Sequence, residues 1–159
     1  MKIKHELDPI FQKDSKILIL GSIPSVKSRE LGFYYMHPQN RFWHVLERVY
    51  KEPIPNTIEG KKEFLKRKKI ALWDVLSSCT INASSDASIK NIKVNNINKL
   101  IKETNIKRIY TTGKKAYDIY QKKVFPKTKI EAIYLPSTSP ANATYTLERL
   151  VEEYKSNLL

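Results

Sequence analysis

Four short apolar runs punctuate the chain: 16–21 (KILILG), 69–75 (KIALWDV), 107–113 (KRIYTTG) and 130–136 (IEAIYLP). Each is continuous rather than alternating, the pattern of a strand covered on both faces. Between them, apolar residues recur at helical spacing. Residues 41–50 place Phe42, Val45, Leu46 and Val49 on one stripe, and the charged stretch 61–68 carries Phe64 and Leu65. Residues 94–104 put Ile97, Leu100 and Ile101 on one face, and a further helix follows Gly113 over 114–123. The last helix is expected over 140–157, with Pro140 at its first position and Ser139 as its cap. Strands alternating with helices predict an α/β fold, a three-layer α/β/α sandwich around a four-stranded, mainly parallel sheet. The polar stretch 77–88 (SSCTINASSDAS) reads as a long loop on a binding surface, and 51–57 (KEPIPNT) as a connector. With 159 residues and no internal repeat or low-complexity linker, one domain over 1–159 is expected.

In such a sheet, loops at the carboxyl ends of the strands carry ligands. That singles out the loops after Leu20, Trp73, Thr112 and Leu135. The first contains Gly21, Ser22, Pro24 and Ser25, small residues that let backbone N–H groups approach a ligand closely. They also suit an ordinary strand-to-loop turn, and neither a GK[ST] nor a GxGxxG pattern is present. Next come Phe33, Tyr34 and Tyr35, then His37-Pro38-Gln39-Asn40. An aromatic ring here can stack on a flat base or pack into the core. His37 can orient its loop, and Asn40 stands where a helix beginning at Arg41 would take its N-cap. Asp74 ends the second strand. It can anchor the following loop or accept an N–H from a ligand, and it cannot donate to a neighbouring carbonyl unless protonated. In the loop LPSTSPANA (135–143), Ser137, Thr138 and Ser139 offer hydroxyls to a phosphate, backed by the positive end of the expected helix.

Charge changes the picture further. Lys and Arg number 29 against 16 Asp and Glu, a net charge of +13. So large an excess suits a polyanionic partner through counterion release, although a Lys-rich solvated surface is the ordinary alternative. Cys79 is the single cysteine, so no internal disulfide can form, and a Cys-ligated zinc or iron–sulfur centre is not expected. No metal site and no cofactor are expected. No apolar run approaches the roughly 18–20 residues of a membrane span, and MKIKHELDPI lacks the apolar core of a secretory signal. A cytoplasmic, nucleoid-associated protein without membrane contact is the resulting expectation.

GSIPSVKS (21–28), GFYYMHPQNRFW (32–43) and LPSTSPANA together resemble the uracil-DNA glycosylase superfamily, and more closely its hypoxanthine-DNA (deoxyinosine) glycosylase branch. HPQNRFW is also similar to the mismatch-specific uracil/thymine branch. ALWDVLSSC (71–79), SSDASI (84–89) and TGKKA (112–116) add support, so the resemblance spans roughly residues 15–145. It implies a monofunctional DNA N-glycosylase that extrudes a deaminated base from double-stranded DNA, hydrolyses its glycosidic bond and leaves an abasic site, acting as a monomer. Hypoxanthine is the implied base, with uracil in a G:U mismatch as the alternative. A silent DNA-binding module on the same fold, or a hydrolase of free nucleosides, are readings from other classes. The mismatch-uracil branch carries Asn in the pattern GINPG where this chain has Ile23, and the efficient uracil enzymes carry an Asp that is missing here. The resemblance therefore moves the catalytic polar group to Asn40, which can cap its helix with its backbone and face the sugar with its side chain. It places Gly21, Ser22, Pro24, Ser25, Ser28, Tyr35 and His37 around the substrate. Asp74 stands where many members have a base-reading Asn. Ser137, Thr138, Ser139, Pro140, Ala141 and Asn142 are implied to press on DNA, the last two bordering the vacated space. A lysine Schiff base is the competing mechanism, with Lys27 the one lysine inside a motif.

Overall fold

The computed structural model describes residues 2–4, 7–81 and 89–159. Seven strands are present among them: β1 (Lys2–Lys4), β2 (Ile17–Gly21), β3 (Ile70–Asp74), β4 (Leu76–Ile81), β5 (Ile89–Val94), β6 (Arg108–Thr112) and β7 (Ala132–Leu135). The main sheet has the order β3-β2-β6-β7, and every neighbouring pair in it is parallel. These are the four continuous apolar runs of the sequence. The central strand β2 is buried throughout, because helices cover both faces of the sheet.

Alternation along β2 divides the core. Ile17 and Ile19 face one side with Leu72 and Tyr110, while Leu18 and Leu20 face the other with Ala71 and Ile109. The first side packs against α2 (Phe42–Tyr50), α3 (Ile58–Lys68) and α7 (Leu147–Leu158). The second packs against α4 (Ile97–Lys102), α5 (Lys114–Ile119) and α6 (Phe125–Thr128), the last two joined by a π-helical turn at Tyr120–Val124. The three-layer sandwich follows. The open edge of β3 is covered by the N-terminal segment, where Ile10 and Leu72 exchange two backbone hydrogen bonds of 2.9 Å.

Three expectations need correction. The polar stretch after Asp74 is not one long loop. Leu76–Ile81 forms β4, which pairs antiparallel with β5 and β1 in a second, three-stranded sheet. Residues 82–88 of that stretch lie outside the described residues. The helix expected over 94–104 is shorter, since Val94 belongs to β5 opposite Leu76 and the Asn96 side chain caps α4 by accepting the Lys99 N–H at 3.1 Å. The last helix does not start at Pro140. It starts at Leu147, with the Thr146 hydroxyl accepting the Arg149 N–H at 3.2 Å, so Ser139 is no helix cap.

Candidate active site

Parallel pairing sets the carboxyl ends of β3, β2, β6 and β7 in register. Gly21 lies opposite Asp74, Leu20 opposite Thr111 and Thr112 opposite Leu135, so Asp74, Gly21 and Thr112 form one row on the α2 side of the sheet. Gly21 is what makes the row compact. A Cβ there would lie 2.6 Å from Asp74 Oδ1, 3.3 Å from Tyr35 Oη and 3.7 Å from Thr112 Oγ1. The carboxylate of buried Asp74 and two hydroxyls thus converge on the space of a missing side chain. The Asp74 main chain is fixed as well, its carbonyl accepting Asn95 Nδ2 at 2.8 Å.

Tyr35 closes the row from above. Its ring stacks on Phe42 with centroids 3.8 Å apart and an interplanar angle of 12°. Its hydroxyl lies 3.3 Å from Thr112 Oγ1, and its φ of 55° is in the left-handed region, uncommon for an aromatic residue. Burial first, and the negative charge of Asp74 second, push the Tyr35 phenol well above its ordinary ionisation range; Tyr34 is pushed up by the same two causes. Both rings therefore remain neutral at physiological pH.

Asn40 stands at the start of α2, two residues before the Phe42 ring that stacks on Tyr35. Its Oδ1 accepts the Phe42 N–H at 2.9 Å and the Thr138 hydroxyl at 2.8 Å. The Phe42 N–H can only donate, so it fixes which end of the carboxamide is oxygen. The Asn40 Nδ2 group has no partner among the described residues. The helix begins one residue later than the sequence suggests: Arg41 holds the N-cap position, without a side-chain cap bond, and Asn40 caps the first turn from outside it.

The other candidate residues separate into two groups. Ser22 and Ile23 carry no backbone N–H hydrogen bond among the described residues, so this pair of donors follows the row directly. Pro24 is buried. Ser25 and Ser28 are structural: Ser25 caps α1 (Val26–Leu31) by accepting the Ser28 N–H at 3.1 Å, and buried Ser28 accepts the Met36 N–H at 2.9 Å. They hold the aromatic loop against the first strand loop. His37 turns its own loop, Nδ1 accepting the Gln39 N–H at 3.1 Å.

In the second loop Thr138 is buried and its hydroxyl is given to Asn40. Ser137 Oγ accepts the Ser139 N–H at 3.1 Å, Ser139 Oγ accepts the Ala141 N–H at 3.2 Å, and Asn142 Nδ2 donates to the Ser137 carbonyl at 3.0 Å. Pro140 and Ala141 are exposed at the tip. With α7 starting at Leu147, that helix does not begin behind Ser137–Ser139, so the dipole contribution expected from it is withdrawn.

Arg41 was not singled out by sequence reasoning. Its backbone N–H donates to the Thr138 carbonyl at 3.1 Å, and its guanidinium binds the carbonyls of Ser139 and Asn142, both at 3.1 Å, and of Tyr145. Together with the Asn40–Thr138 bond, this joins the two motifs that lie about a hundred residues apart in sequence, and the charge on the guanidinium strengthens its bonds to the carbonyls. The available signal was a cation at a helix N-terminus, where the macrodipole disfavours it.

The sequence pattern of the Uracil DNA glycosylase superfamily matches residues 9–159. The chain belongs to that superfamily. Membership makes it a DNA glycosylase, with DNA as its substrate. Among relatives, a protein named Hypoxanthine DNA glycosylase from Methanosarcina barkeri (strain Fusaro / DSM 804) is 33% identical over 144 residues, covering 87% of this chain and 88% of the relative. A second protein of that name, from Methanosarcina acetivorans, is 30% identical over 151 residues, covering 92% and 93%. A solution NMR structure of a candidate uracil DNA glycosylase from Methanosarcina acetivorans superposes with a TM-score of 0.84 at 29% identity, over 99% of this chain and 97% of that one. The fold is therefore shared across nearly the whole chain.

Proposed function

We propose that this glycosylase is monofunctional, acts as a monomer, and releases hypoxanthine from deoxyinosine in duplex DNA, leaving an abasic site. The observation that carries the reading is the Asn40 carboxamide, held by two hydrogen bonds to its oxygen with its NH2 group uncommitted. The names of the two curated relatives support the choice of base. A nucleotide extruded from the stack enters at the end of the sheet, and a damaged or mismatched one is cheaper to extrude. Hypoxanthine presents N–H beside C=O. The Asp74 carboxylate accepts that N–H, whereas adenine would set a lone pair against it. Backbone N–H groups of Ser22 and Ile23 serve the carbonyl and the negative charge that builds on the departing base. Asn40 Nδ2 donates to one lone pair of a water and leaves the water's other lone pair for C1′ of the sugar. As that C–O bond forms the C–N bond to the base breaks, and the proton the water sheds passes through solvent to the departing base anion. An amide is a poor base, but a sugar with oxocarbenium character needs a placed water more than a strong one.

The test is a base-release assay on duplexes carrying hypoxanthine, uracil or only normal bases, with the freed base measured directly. Release of hypoxanthine ahead of uracil is expected. Uracil first would favour the G:U reading, which Ile23 in place of the Asn of GINPG argues against. Duplex binding with no base release would identify a silent module, and release from free nucleosides alone a nucleoside hydrolase. Borohydride trapping of a protein–DNA adduct would replace hydrolysis with a lysine Schiff base.

A further inference from the structure

We infer that Arg41 is a positioning residue that makes the Asn40 carboxamide and the loop 138–145 one mechanical unit, so that seating the loop on DNA sets the place of the attacking water. The inference rests on the proposed role of Asn40. Three carbonyls at a spacing of three residues, those of Ser139, Asn142 and Tyr145, converge on one guanidinium. The same spacing runs through the loop's own turns, in which the Asn142 N–H donates to the Ser139 carbonyl at 3.0 Å and the Tyr145 N–H to the Asn142 carbonyl at 3.3 Å. The carbonyls of consecutive tight turns lie on one side, and the flat fork of an arginine reaches several of them at once. An ammonium is a single point and cannot span the set. The next residue up the chain is Asn40, whose oxygen takes the hydroxyl of Thr138 from the base of that same loop.

Stability alone does not account for this arrangement. Arg41 stands at the positive end of α2, whose first turn holds no acidic residue, and its Nε is buried without a partner. Local electrostatics disfavour a cation there. A residue that breaks a local rule while tying two motifs together is a mark of function. Both motifs also pack beside the row: Phe42, next along α2, stacks on Tyr35, and a Cβ on Gly113, the residue after Thr112, would lie 3.4 Å from Ser137 Cβ. A shift of the loop therefore acts on Asn40 directly, through the Thr138 hydroxyl.

The test uses Arg41→Lys, Arg41→Gln, Asn40→Ala and Asn40→Ala/Arg41→Lys in the full chain, with an inosine duplex under single-turnover conditions. Melting temperature is recorded for each, and rates are read well below it. Arg41→Lys is expected to slow base release by about 100-fold, the scale of a misplacement near 1 Å, with duplex affinity and its salt slope unchanged. The double variant is expected to be no slower than Asn40→Ala, because Arg41 acts through that residue. Three results would overturn the inference: a wild-type rate in Arg41→Lys and Arg41→Gln, rate losses that multiply in the double variant, or a salt slope lowered by about one in Arg41→Gln, which marks a direct phosphate contact. A wild-type rate in Asn40→Ala would instead reject the underlying role of Asn40, and the two failures are thereby told apart.

Discussion

At the scale of single residues, the site depends on an absence as much as on any group. Gly21 lets the Asp74 carboxylate stand 2.6 Å from where a Cβ would be, with the Tyr35 hydroxyl at 3.3 Å. Gly21→Ala must displace a buried carboxylate at a strand end. Overpacking of this kind costs about 1–3 kcal/mol, and base release should fall further than the stability loss explains. Urea unfolding and single-turnover release on the same preparation measure both; an Ala variant with wild-type release would mean that the row does not hold the base. The glycine itself was legible in the sequence as the small residue ending a buried strand. Its partners were legible only as a set of separate polar and aromatic residues. That Tyr35 adopts a left-handed backbone to stack on Phe42 and reach Thr112 is a tertiary outcome. So is the burial of Ser28 and Thr138, whose hydroxyls hold loops together.

At the scale of elements, continuous apolar runs located all four strands of the main sheet, since a strand covered on both faces has no polar side to blur it. The second sheet was missed because β4 reads LSSCTI, a polar string whose pairing is supplied by β1 and β5. β5 did carry a signal: Ile92 and Val94 are half-buried while Asn91 and Lys93 are exposed, the alternation of a one-sided strand. The start of α7 was misplaced for a related reason. Pro140 after Ser139 has the form of a helix start, but Arg41 draws in the carbonyls of Ser139, Asn142 and Tyr145 and holds the segment in turns. The helix waits for Thr146. Thr146→Ala should therefore cost about 1 kcal/mol of stability, the usual loss for an N-cap, while leaving base release unchanged. Ser139→Ala should cost less, since its hydroxyl only closes a local turn. Thermal unfolding of the pair checks the order, and the reverse order would put the helix start back at Pro140.

At the scale of the whole molecule, the fold combines a neutral, buried aromatic layer with a surface of net charge +13. Burial raises the phenols of Tyr34, Tyr35 and Tyr154 above the ordinary value of 10.0. In the unfolded chain they ionise near that value; in the folded chain they hold their protons to higher pH. The stability they lend is complete below pH 10 and is lost as pH rises beyond it, because only the unfolded chain then releases protons. Denaturant midpoints should thus be unaffected by these groups up to that pH and decline above it, with a shallower decline in Tyr154→Phe. A Tyr154→Phe slope equal to wild type would contradict the burial argument.

The central claim is that one carboxamide, fixed by its oxygen and open at its nitrogen, places the water that attacks the sugar. Single-turnover release of hypoxanthine by Asn40→Ala, alongside its affinity for the same duplex, tests this most directly. The rate is expected to fall by roughly 100-fold or more, with affinity close to that of the parent protein. An unchanged rate would contradict it, as would a slowed rate fully explained by lost DNA binding.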